Sequence, residues 1–175
     1  MPVWSDDRGK TYNSSLGVYK HGLDECSIAQ AANGSLMLVA RNCFSSNYKT
    51  CQMRRRRLGD SGAGAGAGGT GSKHLAASWS HDGGETWSAL VNATDLITPV
   101  CQPSIISYQG PADTQPTIYA SHPYSQVSRE NGTILASDDS GATFKRHLNL
   151  GIPTTFGYTG QCRRFLPRRA PLSDP

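Results

Sequence analysis

The sequence predicts an all-β fold of short antiparallel strands, from three observations: a turn-rich composition, a set of strand-length apolar runs, and an eight-residue motif that occurs three times. Of the 175 residues, 37% are hydrophobic and 17% charged, while glycine numbers 19 and proline 10. That mixture suits sheets joined by tight turns and leaves no stretch for a long helix. The length permits a single domain with a sizeable core.

The motif has the form Ser-x-Asp-x-Gly-x-Thr-aromatic. Its copies are Ser5, Asp7, Gly9, Thr11 and Tyr12; Ser80, Asp82, Gly84, Thr86 and Trp87; and Ser137, Asp139, Gly141, Thr143 and Phe144. Each residue type has a task in a tight hairpin. The carboxylate accepts bonds from turn amides, glycine supplies a positive φ, the hydroxyls tie down the loop, and the closing aromatic can anchor it in a core. Between the motifs lie the expected strands: Gly34 to Ala40, His74 to Ser80, Ser104 to Tyr108, Thr117 to Ala120 and Thr133 to Ser137. Asn33-Gly34 and Asn131-Gly132 each precede such a run and signal hairpins. Turns at these intervals imply a partial β-propeller, about three to four blades of four-stranded antiparallel sheets.

The formal charge of +4 is concentrated in Arg54 to Arg57 and in Arg163, Arg164, Arg168 and Arg169. These are local clusters, and the first opens a Gly/Ala-rich stretch to Ser72 that is expected to be a flexible insertion. A solvated loop is the better reading of that run. With no interleaved aromatics and no RNA-binding signature, nucleic acid is not expected as a partner. The Gly/Ala tract also lacks the Gly-Lys-Ser/Thr ending and following helix of a phosphate-binding loop.

Five cysteines (Cys26, Cys43, Cys51, Cys101 and Cys162) form no CxxC pair and lack zinc-site spacing, so no metal or other cofactor is expected. Cys43 and Cys51 could close a hairpin disulfide, or all five could be buried or incidental thiols. No apolar run approaches the ~20 residues of a membrane span, and Met-Pro-Val-Trp-Ser lacks a signal pattern. Sequons at Asn13, Asn33, Asn92 and Asn131 point toward a secretory or lysosomal history, with the cytoplasm as the alternative. Asn33 and Asn131, each followed by glycine, also read as turn residues.

The repeated motif resembles the Asp box of bacterial and animal sialidases, whose catalytic domain is a six-bladed β-propeller. Four positions threaded between the motifs extend the resemblance. The stretch Asp24-Glu25 to Arg41-Asn42, with Asn33-Gly34 between two strands, resembles the sialidase segment in which a glutamate precedes a strand and the next strand ends in Arg-Asn. Ser121-His-Pro through Arg129-Glu-Asn131 resembles the Asn/His-Pro…Arg-x-Asn segment before an Asp box, and Phe156-Gly157-Tyr158-Thr159 resembles the Ala/Gly-Tyr-Ser segment after it. The resemblance implies that Tyr158 is a nucleophile, Glu25 the base that activates it, and Arg41 and Arg129 two of three arginines that hold the substrate carboxylate. It further implies an exo-α-sialidase acting with retention on sialylated glycans: glycoproteins, glycolipids and oligosaccharides. A non-catalytic Asp-box propeller that binds glycans or proteins is the alternative.

The family pattern also calls for an Arg-Ile/Leu-Pro arginine and an aspartate acid/base before the motif at Ser5, and this sequence has neither. Asp6, Asp7 and Asp24 are poor substitutes, since in the family the Asp boxes lie on the face opposite the active site. Residues 1–159 are therefore expected to form part of a propeller domain that is inactive alone, and residues 160–175 a divergent, unstructured tail. Oligomeric state is left open.

Overall fold

The computed structural model describes residues 2–15, 23–42, 72–152 and 156–162. Its ten strands are β1 (Val3–Trp4), β2 (Asn13–Ser14), β3 (Leu23–Gln30), β4 (Leu36–Asn42), β5 (His74–Ser80), β6 (Val91–Ile97), β7 (Ser104–Tyr108), β8 (Thr117–Pro123), β9 (Gly132–Ser137) and β10 (Lys145–Asn149). They form two four-stranded meanders, β3-β4-β5-β6 and β7-β8-β9-β10, and a two-stranded ribbon β1-β2, all antiparallel. No helix occurs among the described residues. The architecture is all-β, with the successive four-stranded sheets of a propeller.

The two sheets pack through one apolar seam. Met37, Val39, Leu75, Ala77 and Leu96 from the first sheet meet Ile105, Ile118, Ala120, Leu135 and Phe144 from the second. Polar contacts fix the approach: Ser27 Oγ accepts from Ile105 N at 3.1 Å, Trp79 Nε1 donates to the Ser140 carbonyl at 3.2 Å, and Phe144 N donates to Asp95 Oδ2 at 3.0 Å.

The repeated motif falls at one place in the architecture. Residues 80–87 join the third and fourth strands of the first sheet, 137–144 join the third and fourth of the second, and 5–12 join β1 to β2. In each turn the serine hydroxyl donates to the aspartate at 2.8 Å and accepts from the glycine N–H. The threonine then closes on the same carboxylate through both its N–H and its hydroxyl. Two consecutive residues are left-handed in each copy: Arg8 and Gly9, Gly83 and Gly84, Ser140 and Gly141. At Gly141 a Cβ would also run into Met37 Sδ, so packing as well as backbone favours glycine there.

The closing aromatics differ. Phe144 is buried in the seam, and Trp87 packs on Leu38 and Ala40 while donating to the Gly84 carbonyl. Tyr12, expected to anchor its turn in a core, is 68% exposed, and the β1-β2 ribbon pairs with no further strand among the described residues to cover it.

Asn33-Gly34 forms the expected β3-β4 hairpin, with Gly34 at φ 83°. Asn131-Gly132 instead ends a longer loop, residues 124–131, closed by a hydrogen bond from Tyr124 N to the Asn131 carbonyl. A two-residue turn is ruled out because β8 runs on through Pro123, which pairs with Gly132. Cys43, Cys51, Arg54 to Arg57, the Gly/Ala tract as far as residue 71, and residues 163–175 lie outside the described residues. Cys26, Cys101 and Cys162 are free thiols.

Two predictions follow from the seam and the turns. Leu75 is fully buried, so Leu75→Ala should cost about 2–5 kcal/mol of unfolding free energy, read from urea denaturation. The three turn carboxylates are shifted the other way from buried acids. Hydrogen bonds from Thr11 and Ser5 lower Asp7 from 3.8 to about 2, and bonds from Thr86 and Ser80 hold Asp82 lower still. At Asp139 burial opposes ionisation, yet Thr143 and Ser137 still bring it to about 2. A folded-state pKa below the unfolded one adds stability above about pH 4 that disappears as pH falls through about 2. The urea midpoint should therefore drop across that window, and the drop should shrink in Asp139→Asn.

Candidate functional site

The register puts the candidate site and the repeated turns at opposite ends of the sheets. In the first sheet Leu36 pairs with Ser80 at the turn end, whereas Asp24 pairs with Arg41 at the other. In the second, Ile118 pairs with Ser137 at the turn end and Pro123 with Gly132 at the far end, next to Arg129.

Glu25 owes its place to a β-bulge. Asp24 pairs with Arg41 and Cys26 with Ala40, so Glu25 is the extra residue, at φ 42°. Asp24 Oδ1 accepts the Glu25 N–H at 3.1 Å and pins the bulge. Glu25 Oε2 then accepts from Arg41 Nη1 at 2.9 Å, with the arginine side chain 9% and the glutamate 24% exposed. Arg41 continues the Met37–Val39 face of β4 past the apolar seam. Burial works against its charge there, but the hydrogen bond and charge of Glu25, joined by Tyr158, raise its pKa above the ordinary value.

Tyr158 sits at φ 54° and is 46% exposed. The Arg129 guanidinium lies 5.0 Å from its ring centroid, within cation–π range. The segment carrying Tyr158 is bound to the second sheet at several points. Phe156 N donates to the Arg129 carbonyl, Thr159 Oγ1 to the Ser121 carbonyl at 2.6 Å, and Gln161 N to Ser104 Oγ at 3.0 Å. Gly132 and Gly157 allow this approach, since a Cβ at Gly132 would fall 2.7 Å from the Phe156 ring and one at Gly157 3.3 Å from Arg129 Cδ.

All four sequence-derived positions thus lie at one end of the sheets, in two pairs: Glu25 with Arg41, and Tyr158 with Arg129. Arg41 Nε and Arg129 Nε are buried donors without a partner among the described residues. Two such guanidinium edges beside a phenol suit an anionic ligand, because an arginine fork matches a carboxylate in shape and charge. A cleft of about 330 Å³ opens beside Tyr158, lined also by Ser121, Ile134, Leu150, Phe156 and Thr159. It touches the other three residues nowhere, so the side-chain contacts, not the cleft, locate the chemistry. No group of three potential metal ligands occurs among the described residues, and no described helix could cross a membrane.

Three further residues beside the site were given no supporting role by the sequence. Asp24 holds the bulge, and its only sequence signal is adjacency to Glu25. His122 is fully buried and donates from Nδ1 to the Pro123 carbonyl at 3.0 Å; burial takes its imidazole down to about 4, so it is neutral at neutral pH. Cys101, also buried, lies 3.9 Å from where a Gly157 Cβ would stand.

Known proteins share this fold. No family model matches the chain. An anhydrosialidase from Macrobdella decora is 40% identical over 110 residues, covering 56% of this chain and 14% of that protein. The Hadza microbial sialidase Hz136 superposes with a TM-score of 0.63 at 25% identity, over 89% of this chain and 26% of its own. An intramolecular trans-sialidase from Ruminococcus gnavus gives 0.59 at 23% identity, over 88% of this chain and 29% of its own. The fold is thus that of the sialidase propellers. The chain spans between about a seventh and three-tenths of the length of these relatives.

The ion pair yields a direct prediction. Glu25→Gln removes the counter-charge of a buried guanidinium and should cost about 1–3 kcal/mol, measured by urea denaturation. The double variant Glu25→Gln/Arg41→Met should recover part of that loss, because no uncompensated charge is left.

Proposed function

We propose that Tyr158, Glu25, Arg41 and Arg129 serve a site for terminal sialic acids, in a protein that hydrolyses them from glycoproteins, glycolipids and oligosaccharides with retention. The observation that carries the reading is the pairing of Glu25 with Arg41 and of Arg129 with Tyr158 at the same end of the two sheets. Sialic acid bears a carboxylate on its anomeric carbon, and Arg41 and Arg129 offer unpaired N–H donors to it. A carboxylate nucleophile would be repelled by that group. A phenol approaches neutral, and with an ordinary pKa of about 10 it needs a base near neutral pH. In this reading Glu25 takes the Tyr158 proton as the phenol oxygen bonds to the anomeric carbon and the glycosidic bond breaks; tyrosine is the known departure from carboxylate nucleophiles among glycosidases. Water then attacks the glycosyl-tyrosine from the opened face, which restores the starting configuration.

None of the four residues is placed to protonate the leaving group. The 175-residue chain is accordingly proposed to bind a sialic acid without turning over a sialoside. Titrating free sialic acid into the labelled chain should shift amide resonances near Tyr158, and Arg41→Ala or Arg129→Ala should abolish the shifts. A folded chain that shows no shift would overturn the site. Fluorophore release from a sialoside, lost in Tyr158→Phe, would uphold the site but overturn the inactivity. In that event NMR of the product separates free sialic acid from the 2,7-anhydro compound, which was found bound to the leech intramolecular trans-sialidase, another structural relative.

A further inference from the structure

The four sequons have different surroundings. On β2, Asn13 is exposed, but the hydroxyl of its sequon serine, Ser15, turns to the Pro2 carbonyl and not to the asparagine. On β6, Asn92 Oδ1 accepts from Asn42 Nδ2 at 2.8 Å, and no bond joins it to Thr94 among the described residues. Asn131 stands two residues from Arg129, and Thr133 Oγ1 bonds its backbone carbonyl at 2.8 Å instead of its carboxamide.

Asn33 differs from all three. It is exposed at the β3-β4 hairpin, at the end that carries the repeated turns and away from Glu25 and Arg41. Its Oδ1 accepts both the Ser35 N–H at 3.0 Å and the Ser35 hydroxyl at 2.7 Å. The hydroxyl that defines the sequon therefore already engages the acceptor carboxamide, in a local turn of the kind asparagine favours. Asn33 Nδ2, the atom a glycan would occupy, donates no hydrogen bond among the described residues. Space is open beside it, since a Cβ built on Gly34 would meet nothing within 4 Å.

We propose that Asn33 is an N-glycan acceptor, and that its glycan projects from the turn end of the sheet, clear of the candidate site. The donor class is an oligosaccharide carried on a lipid diphosphate. In the transfer the bond from the anomeric carbon to the diphosphate oxygen breaks, a bond from that carbon to Nδ2 forms, one Nδ2 proton passes to a base of the transferase, and the lipid diphosphate leaves. Oδ1 is untouched, so both Ser35 hydrogen bonds survive and the hairpin keeps its geometry in the modified chain.

The test is to express the whole chain behind a cleavable signal peptide in an N-glycosylating eukaryotic cell. The product is then treated with peptide-N-glycosidase F in ¹⁸O water, and the peptide containing residue 33 is weighed. Conversion of Asn33 to ¹⁸O-labelled aspartate is expected, lost in Ser35→Ala and retained in Ser35→Thr. The readout is taken on secreted and retained chain alike, so it does not depend on how much of a variant is secreted. An unmodified Asn33 peptide, in secreted or retained chain alike, would overturn the proposal, as would labelling that persists in Ser35→Ala.

Discussion

The candidate site depends on one extra residue in β3. Strand alternation leaves little choice in β4: Met37 and Val39 face the seam, so Arg41 extends the same face beyond the last apolar layer. A guanidinium there is largely cut off from water and needs an anion at once. The bulge sets both Asp24 and Glu25 against it. Asp24 is spent on the Glu25 amide, and Glu25 is left to pair. A non-glycine residue at positive φ costs about 1–3 kcal/mol. Here the hydrogen bond from the Glu25 amide and the ion pair offset that strain, which explains why the bulge persists in an otherwise regular ladder.

Much of the fold was legible because its punctuation is chemical. The Asp-centred turns use residue types with few substitutes, and β4, β5, β7, β8 and β9 are apolar enough to read as strands. β6 and β10 were not legible, and β3 showed only through the family resemblance. They are the first or last strands of their sheets, paired on one side only, and β10, Lys-Arg-His-Leu-Asn, is exposed throughout. Their strand character comes from the ladder they join and leaves little trace in composition.

The site was legible for a different reason. Glu25, Arg41, Arg129 and Tyr158 are ordinary residues one by one, and only their order among the turns marked them. What stayed hidden were the contacts that position them. Phe156 can reach the Arg129 backbone because Gly132 carries no side chain, and nothing about a glycine beginning a strand announces that an aromatic ring lies against it. The Glu25 bulge was equally silent, because an inserted residue shows only in the register of its partner strand.

The three turns also amount to an internal substitution experiment. At the first left-handed position, with φ between 61° and 77°, they hold Arg8, Ser140 and Gly83; at the second, with φ between 84° and 105°, all three hold glycine. A shift of a few tens of degrees thus separates a site open to side chains from one closed to them. The first position lies at the edge of the small left-handed basin that L-residues can reach, and the second lies beyond it. Of the two left-handed positions, only the one before the glycine can therefore vary, and there an arginine, a hydroxyl or no side chain at all is displayed on the same backbone.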